Sequence, residues 1–246
     1  MSPTAPTGGM IFTAIDTDAD NIEAWNRWYD LEHLPPNIAL AEVKQGRRYV
    51  APPELHALRR PAQPRAGFAN GQGVFVTIYL TTGDPTAAIA AMTEYRDVLV
   101  DAGRMDNAGN RTVRTGDAMD LTWAVADPAL RLDADDVPFV AHSGLRVVLR
   151  TGEGSSVGDA SVQIEGVHAA LSFRSRFFEG LTADLFYLEG DTAEVTERLR
   201  AGAPYPGDAE VVLDAPFDAI VPFCYDFADA IRASDLPQTI DTDKIV

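Results

Sequence analysis

Apolar and polar positions change rhythm along this chain at nearly regular intervals. Residues 10–16 (MIFTAID) form a short apolar run ending in an acid, which predicts a strand. Asp20, with Glu23 three positions later, gives a capping-box start, and helical spacing continues to Leu34. Pro35 and Pro36 are expected to end that helix, because a residue before proline is pushed out of the α region. Residues 43–50 (VKQGRRYV) and 74–80 (VFVTIYL) read as the second and third strands, the latter dense in β-branched and aromatic residues. Within residues 84–102, Ile89, Met92, Val98 and Leu99 recur at helical spacing, and residues 112–126 hold a fourth strand.

The resulting order, β-α-β-β-α-β, is the split βαβ or ferredoxin-like unit. It recurs more weakly downstream. Residues 144–150 (GLRVVLR) predict a strand, 157–166 a short helix, 167–174 and 185–188 two strands, 192–201 a helix, and 210–213 with 219–223 a last extended stretch. The chain therefore divides into a disordered lead-in (1–9), half one (10–126), a linker (127–136), half two (137–232) and a polar tail (233–246). The expected fold class is α+β, with two tandem ferredoxin-like halves.

The first helix carries the most unusual side chains, in the stretch WNRWYDLEHLPP. At about 100° per residue, Ile22, Asn26, Tyr29 and His33 share one stripe, and Trp25, Trp28 and Glu32 the next. Glu23, Arg27, Asp30 and Leu34 fall on or near the opposite side, and Glu23, Arg27 and Asp30 are set aside as outer positions. The aromatic face must be buried, and it takes Asn26, Glu32 and His33 inward with it. One reading makes Trp25, Trp28 and Tyr29 plain core, with Glu32 and His33 half-solvated at the helix end. The other is a pocket between helix and sheet, with His33 as the proton-transfer group, because imidazole titrates nearest neutrality. In that reading Glu32 and Tyr29 assist catalysis, and Trp25, Asn26 and Trp28 shape a substrate site. Arg47, Arg48 and Tyr49 follow on a strand. Alternation separates Arg48 from Arg47 and Tyr49, so one set faces inward, and all three are candidate substrate-binding residues.

Composition narrows the function class. The 246 residues are long enough for a real core, and no apolar run reaches membrane-spanning length. A net charge of −17 repels phosphate backbones and anionic membranes, so neither nucleic acid nor a membrane is an expected partner. The N-terminus has no secretory pattern, and the lone Cys224 forms no internal disulfide, so a cytoplasmic location is expected. Cys224 follows Phe223 in an apolar stretch and is expected to be a buried, inert thiol. No histidine pair or CxxC has metal-ligand spacing, so no metal site is expected. His142 and His168 stand alone and read as structural. The connection over residues 52–73, with His56, Arg59, Arg60 and Arg65, reads as a lid or a mobile insert.

The segment AWNRWYDLEHLPP, lying between a strand and the Arg47–Tyr49 run, resembles the characteristic helix of the dimeric α+β barrel superfamily, most nearly its EthD-like subgroup. Trp28, Tyr29, Glu32, His33, Leu34 and Pro35 match that pattern. Half two resembles the family only in element order. The resemblance implies that the two antiparallel sheets pack face to face as an α+β barrel within one chain, as a monomer or a homodimer. It also implies a small-molecule ligand and no obligatory cofactor. Cofactor-free lyase, isomerase or oxygenase chemistry on an apolar, aromatic or polyketide-like compound, non-catalytic ligand binding, and haem binding all occur in this superfamily.

Overall fold

The computed structural model describes residues 5–61, 68–107, 109–152, 157–205 and 209–236. Strands β1 (Gly9–Thr17), β2 (Val43–Val50), β3 (Phe75–Thr81) and β4 (Arg111–Ala126) lie in the order β2-β3-β1-β4. Strands β5 (Gly144–Thr151), β6 (Val167–Ser175), β7 (Thr182–Leu188) and β8 (Glu210–Ala219) repeat that order as β6-β7-β5-β8. The two antiparallel sheets join edge to edge, β2 to β8 and β4 to β6, and close one eight-stranded barrel. The fold is thus α+β, with the barrel completed inside one chain. Its seams are unequal. The β4–β6 ladder runs from Met119↔Ser175 to Ala126↔Ala169, whereas β2 and β8 pair only at Tyr49↔Ala219 and Val50↔Asp218.

Register sorts the side chains. Met10, Phe12 and Ala14 of β1, Val76, Ile78 and Leu80 of β3, and Leu145, Val147, Leu185 and Tyr187 of half two fill the barrel. The alternate residues face outward beneath helices. Strand β3 is buried along its whole length because both of its faces are covered, which is why its sequence shows no alternation.

The first helix departs from expectation. Helix α1 (Ile22–Trp28) runs into a π-helical turn (Tyr29–His33), followed by α2 (Leu34–Ile38). The Leu34 N–H donates to the Tyr29 carbonyl, five residues back. Pro35 and Pro36 do not end the helical path. They sit in the first turn of α2, where a missing N–H costs little. Gly46 permits this packing, because a Cβ there would lie 2.7 Å from Ile38 and 2.9 Å from Leu34. At the other end, Asp18 rather than Asp20 supplies the cap, to a short 3-10 turn at Ala19–Asn21. The lead-in is held from Thr7 onward: its N–H donates to Asp135 (2.8 Å), and that of Gly8 donates to the Thr81 carbonyl (2.8 Å).

Other expectations are also corrected. Residues 52–61 are not a free lid, for they contain α3 (Pro53–His56) and the bridge Arg60↔Asp214. Arg59 is buried and donates to the carbonyls of Gln72 (2.6 Å) and Gly73 (2.7 Å), while Arg60 pairs with Glu197 (2.9 Å). Arg65 lies outside the described residues. Helix α4 (Pro85–Asp101) forms as predicted, but Val98 is exposed and off its inner face. The weak second-half helix shrinks to the single turn α5 (Gly158–Ser161), and α6 (Thr192–Gly202) follows as expected. A further helix, α7 (Phe227–Arg232), packs Ala228 and Ile231 against Ile22 and Trp25 of α1 and their neighbours. Cys224 is exposed, not buried, because the chain turns through a positive φ at Phe223 and carries this stretch outward.

Candidate functional site

Beneath α4, the outer face of the first sheet is not packed solid. A cavity of about 400 Å³ opens there between β1, β3, β4, the π turn and α4. Ile11, Thr13 and Ile15 of β1 and Tyr79 of β3 form its floor. Ile89, Met92, Thr93, Arg96 and Leu99 line it from α4, and Tyr29, His33 and Asn37 from the π turn and α2. Helix α4 explains the void. Of its 17 residues only Pro85, Ala88 and Leu99 are buried, and its sheet-facing stripe carries Thr93 and Arg96 where a packed helix would carry apolar side chains.

The π turn sets the geometry of the end wall. The His33 ring stacks on Trp28 (centroids 5.0 Å apart, planes at 22°) and meets Tyr29 edge-on at 4.6 Å. Trp28 is itself anchored, its Nε1 donating to the Arg104 carbonyl at 2.9 Å. The His33 Nδ1 is closed off from solvent and has no hydrogen-bond partner among the described residues. Burial, helped by the charges of Arg111 and Arg48, lowers the His33 pKa to about 3, so the ring is neutral at pH 7. Beside it, the Tyr29 and Tyr79 hydroxyls lie 3.4 Å apart. Burial first, and Tyr29 second, push the Tyr79 phenol well above its usual range, so it stays protonated and able to donate.

The sequence-predicted residues divide into three groups. Tyr29 and His33 share the cavity wall. Trp25, Asn26, Trp28 and Arg48 form the layer behind it. The Arg48 guanidinium lies 4.1 Å from the Tyr29 ring centroid and 5.1 Å from that of Trp25, bonds to Asn26 Oδ1, and pairs with Asp30 at 2.7 Å. Glu32, Arg47 and Tyr49 lie away from the cavity. Glu32 is half-exposed and paired with Arg104. Arg47 and Tyr49 share the register of Ile78 and Val76, on the barrel side, where the Tyr49 hydroxyl contacts His142 Nε2 at 2.9 Å. Glu32 and Asp30 have exchanged their expected places. The wide π turn advances each residue by less than 100°, so positions after Trp28 lag behind the ideal wheel. Asp30, set aside as an outer residue, is buried between Arg48 and the Tyr225 hydroxyl (2.6 Å), with its side chain only 2% exposed.

Lining residues with functional side chains that went unnoticed in the sequence include Tyr79, which lies within the apolar run of the third strand, Arg96 and Arg111. Arg96 had a readable signal, since it lies seven positions after Ile89 on the predicted inner stripe, among Met92 and Leu99. Arg111 opens β4 next to Trp28, its guanidinium 5.8 Å from the indole centroid, and no local pattern announces that contact.

The space under α6 in half two corresponds to this cavity, because β5, β7 and β8 hold the sheet positions of β1, β3 and β4. There it is filled by an apolar cluster that includes Val148, Phe186, Val195 and Leu199, with buried ion pairs beside it. Asp214 binds Arg146 (2.8 Å) and Arg200 (2.9 Å), and Asp184 binds Arg150 (2.8 Å), Ser172 (2.6 Å) and Tyr205 (2.7 Å).

No protein-family model matches the sequence, and no curated protein matches it. Solved structures do resemble it in shape. A chlorite dismutase-like protein superposes with a TM-score of 0.51 at 8% identity, covering 91% of this chain and 98% of its own. A monooxygenase-like protein from Lactobacillus acidophilus NCFM (TM-score 0.44, 8% identity, 87% and 94% covered) and an anthrone oxidase-like protein (0.40, 9%, 89% and 94%) are more distant. At such identities the likeness speaks to fold alone. Joined to the closed β1-β3-β2-β8-β5-β7-β6-β4 barrel, it identifies the chain as having the dimeric α+β barrel (ferredoxin-like) fold, with both halves supplied by one polypeptide.

Proposed function

We propose that the chain is a cofactor-free enzyme of EthD-like character, acting on an apolar, aromatic or polyketide-like molecule held under α4. One observation carries this reading: a neutral imidazole and a phenol pair face the same largely apolar cavity. His33 takes a proton from the bound molecule, and the Tyr29 and Tyr79 hydroxyls donate to the oxygen on which negative charge develops. Proton removal of this kind is shared by lyase, isomerase and cofactor-free oxygenase chemistry. A resting pKa of about 3 makes the imidazole a weak base, and negative charge arising beside it raises that value as the reaction proceeds. Trp28 and, through Arg104, Glu32 act by holding the ring in place. One chain builds the whole cavity, so a monomer suffices for this function.

The test is a thermal-shift screen of aromatic and polyketide-like compounds, followed by product analysis with His33→Gln. The expected result is a variant that still binds its ligand and has lost turnover by 100-fold or more, the range of a general base. Unchanged turnover in His33→Gln rejects the mechanism. Ligand binding without turnover in the unaltered protein favours the accessory-protein reading, to which the low basicity of the resting imidazole lends some support.

Haem binding fits these residues poorly. His33 is the one imidazole on the cavity wall among the described residues. A metal-bound imidazole is oriented by an acceptor on its second nitrogen, but Nδ1 of His33 has none, and one ring face is covered by Trp28.

A further inference from the structure

The cavity wall carries two guanidinium groups, on separate elements, and no carboxylate pairs with either among the described residues. Arg111 enters from the start of β4 and Arg96 from the inner stripe of α4. Several other cations of half one are matched, Arg48 by Asp30, Arg104 by Glu32, Arg114 by Asp16 and Lys44 by Asp135, and Arg27, Arg47 and Arg59, which have no carboxylate partner among the described residues, do not line this cavity. In a chain with a net charge of −17, acids to pair Arg96 and Arg111 are not scarce. Arg111 is half-buried against Trp28, and its charge is felt by both His33 and Tyr79. The indole face compensates only part of the cost of removing a guanidinium from water. The one acid at the cavity edge is Asp117. Its side chain shares the register of Phe12 and Met119, on the barrel side of β4, and it pairs with neither Arg96 nor Arg111 among the described residues. The two guanidinium groups therefore have no counter-charge bonded to them on the cavity wall.

We infer that the ligand of this cavity is an anion on an apolar body, a carboxylate, enolate or phenolate, whose charged oxygen is bound by Arg111 and Arg96 next to His33. This rests on the reading of the cavity as a small-molecule site, and it names the class of molecule. The planar guanidinium fork suits an oxyanion held in two-point contact. Ile11, Ile15, Ile89, Met92 and Leu99 take up the apolar remainder. An enolate or phenolate formed during turnover meets the same charges, so the pair that selects an acidic substrate also stabilises its deprotonated form.

The test compares two probes of one shape, 2-naphthoate and its neutral amide, by calorimetry at pH 7 and low salt. The unaltered protein is expected to bind the carboxylate at least tenfold more tightly. Arg111→Gln should remove that preference while leaving amide affinity within about twofold, and Arg111→Lys should restore part of it. Arg96→Gln, at the exposed mouth, should weaken carboxylate binding less and mainly at low salt. Circular dichroism of each variant separates loss of charge from loss of fold. Equal affinity for the two probes, or a preference that survives Arg111→Gln with Arg96→Gln, overturns the inference and leaves the small-molecule site standing. If neither probe binds and Gly116→Val, which fills the cavity floor, changes no ligand response, the inference and the site fail together.

Discussion

His33 shows how position outweighs residue type. Imidazole is chosen for proton transfer because it titrates near neutrality, yet here burial and two nearby guanidinium groups hold its pKa near 3. Nitrogen-resolved NMR of His33 should therefore report a neutral ring throughout pH 4–8, and a transition near pH 6.5 would contradict the closed environment described above. Gly116 offers a complementary measurement. It lies on the cavity floor, and a Cβ there would meet nothing nearer than Thr13 Cγ2 at 3.9 Å. Gly116→Val should fold with equal or higher melting temperature, because a β-branched residue suits a strand better than glycine, and should abolish ligand binding. Asp30 is the opposite case. Asp30→Ala leaves the Arg48 guanidinium buried and uncompensated, and urea denaturation should show a loss of about 3–5 kcal/mol.

At the scale of elements, most strands and the two long helices were legible because hydrophobic period and turn residues are local signals. The buried aromatic stripe of Ile22, Trp25, Asn26, Trp28 and Tyr29 was legible for the same reason. The π turn was not. No residue in YDLEH demands an i→i+5 bond, and the turn goes with a tertiary contact, Arg48–Asp30, and a local ring stack, Trp28 on His33, that sequence pattern does not show. Residues within the turn were accordingly displaced from the ideal wheel by part of a turn, which is why Glu32 and Asp30 traded roles while His33 stayed on the inner side. The prolines misled because a rule about the residue before proline ignores the case in which proline opens a new helical segment. Packing of that segment can be tested at Gly46. Gly46→Val drives side-chain atoms into Ile38, Leu34 and Tyr79, and a loss of about 1–3 kcal/mol is expected in chemical denaturation. An unchanged midpoint would mean that α2 does not seat tightly on β2.

At the scale of the molecule, the element pattern carried the two ferredoxin-like units and the resemblance of the first helix carried closure, but neither carries the length of each seam, so the unevenness was not anticipated. With only two paired positions along β2–β8, amides there should exchange with deuterium faster than those of β4–β6. Acid should weaken the whole barrel. His33, His56 and His142 have pKa values lowered to about 3, about 2 and about 4, chiefly by burial. Each binds its proton more readily unfolded than folded. Their contribution to stability is complete above pH 6.5 and is lost progressively as pH falls toward the folded-state values. The melting temperature should drop between pH 6.5 and pH 4.5, and His56→Asn should flatten that slope. A melting temperature independent of pH over this interval would show that these rings are not held neutral.

Supplying both halves from one chain has an evolutionary consequence. In a barrel made from two identical subunits, every substitution appears twice, so a change that strengthens one sheet-and-helix layer must also be tolerated at the working site. Here the layers are encoded separately. The second has its Arg146–Asp214–Arg200 and Arg150–Asp184 pairs where the first has open space. One layer is thus free to be selected for rigidity while the other retains a void, and the conflict between stability and activity that a symmetric pair faces at every position is divided between two stretches of the same gene.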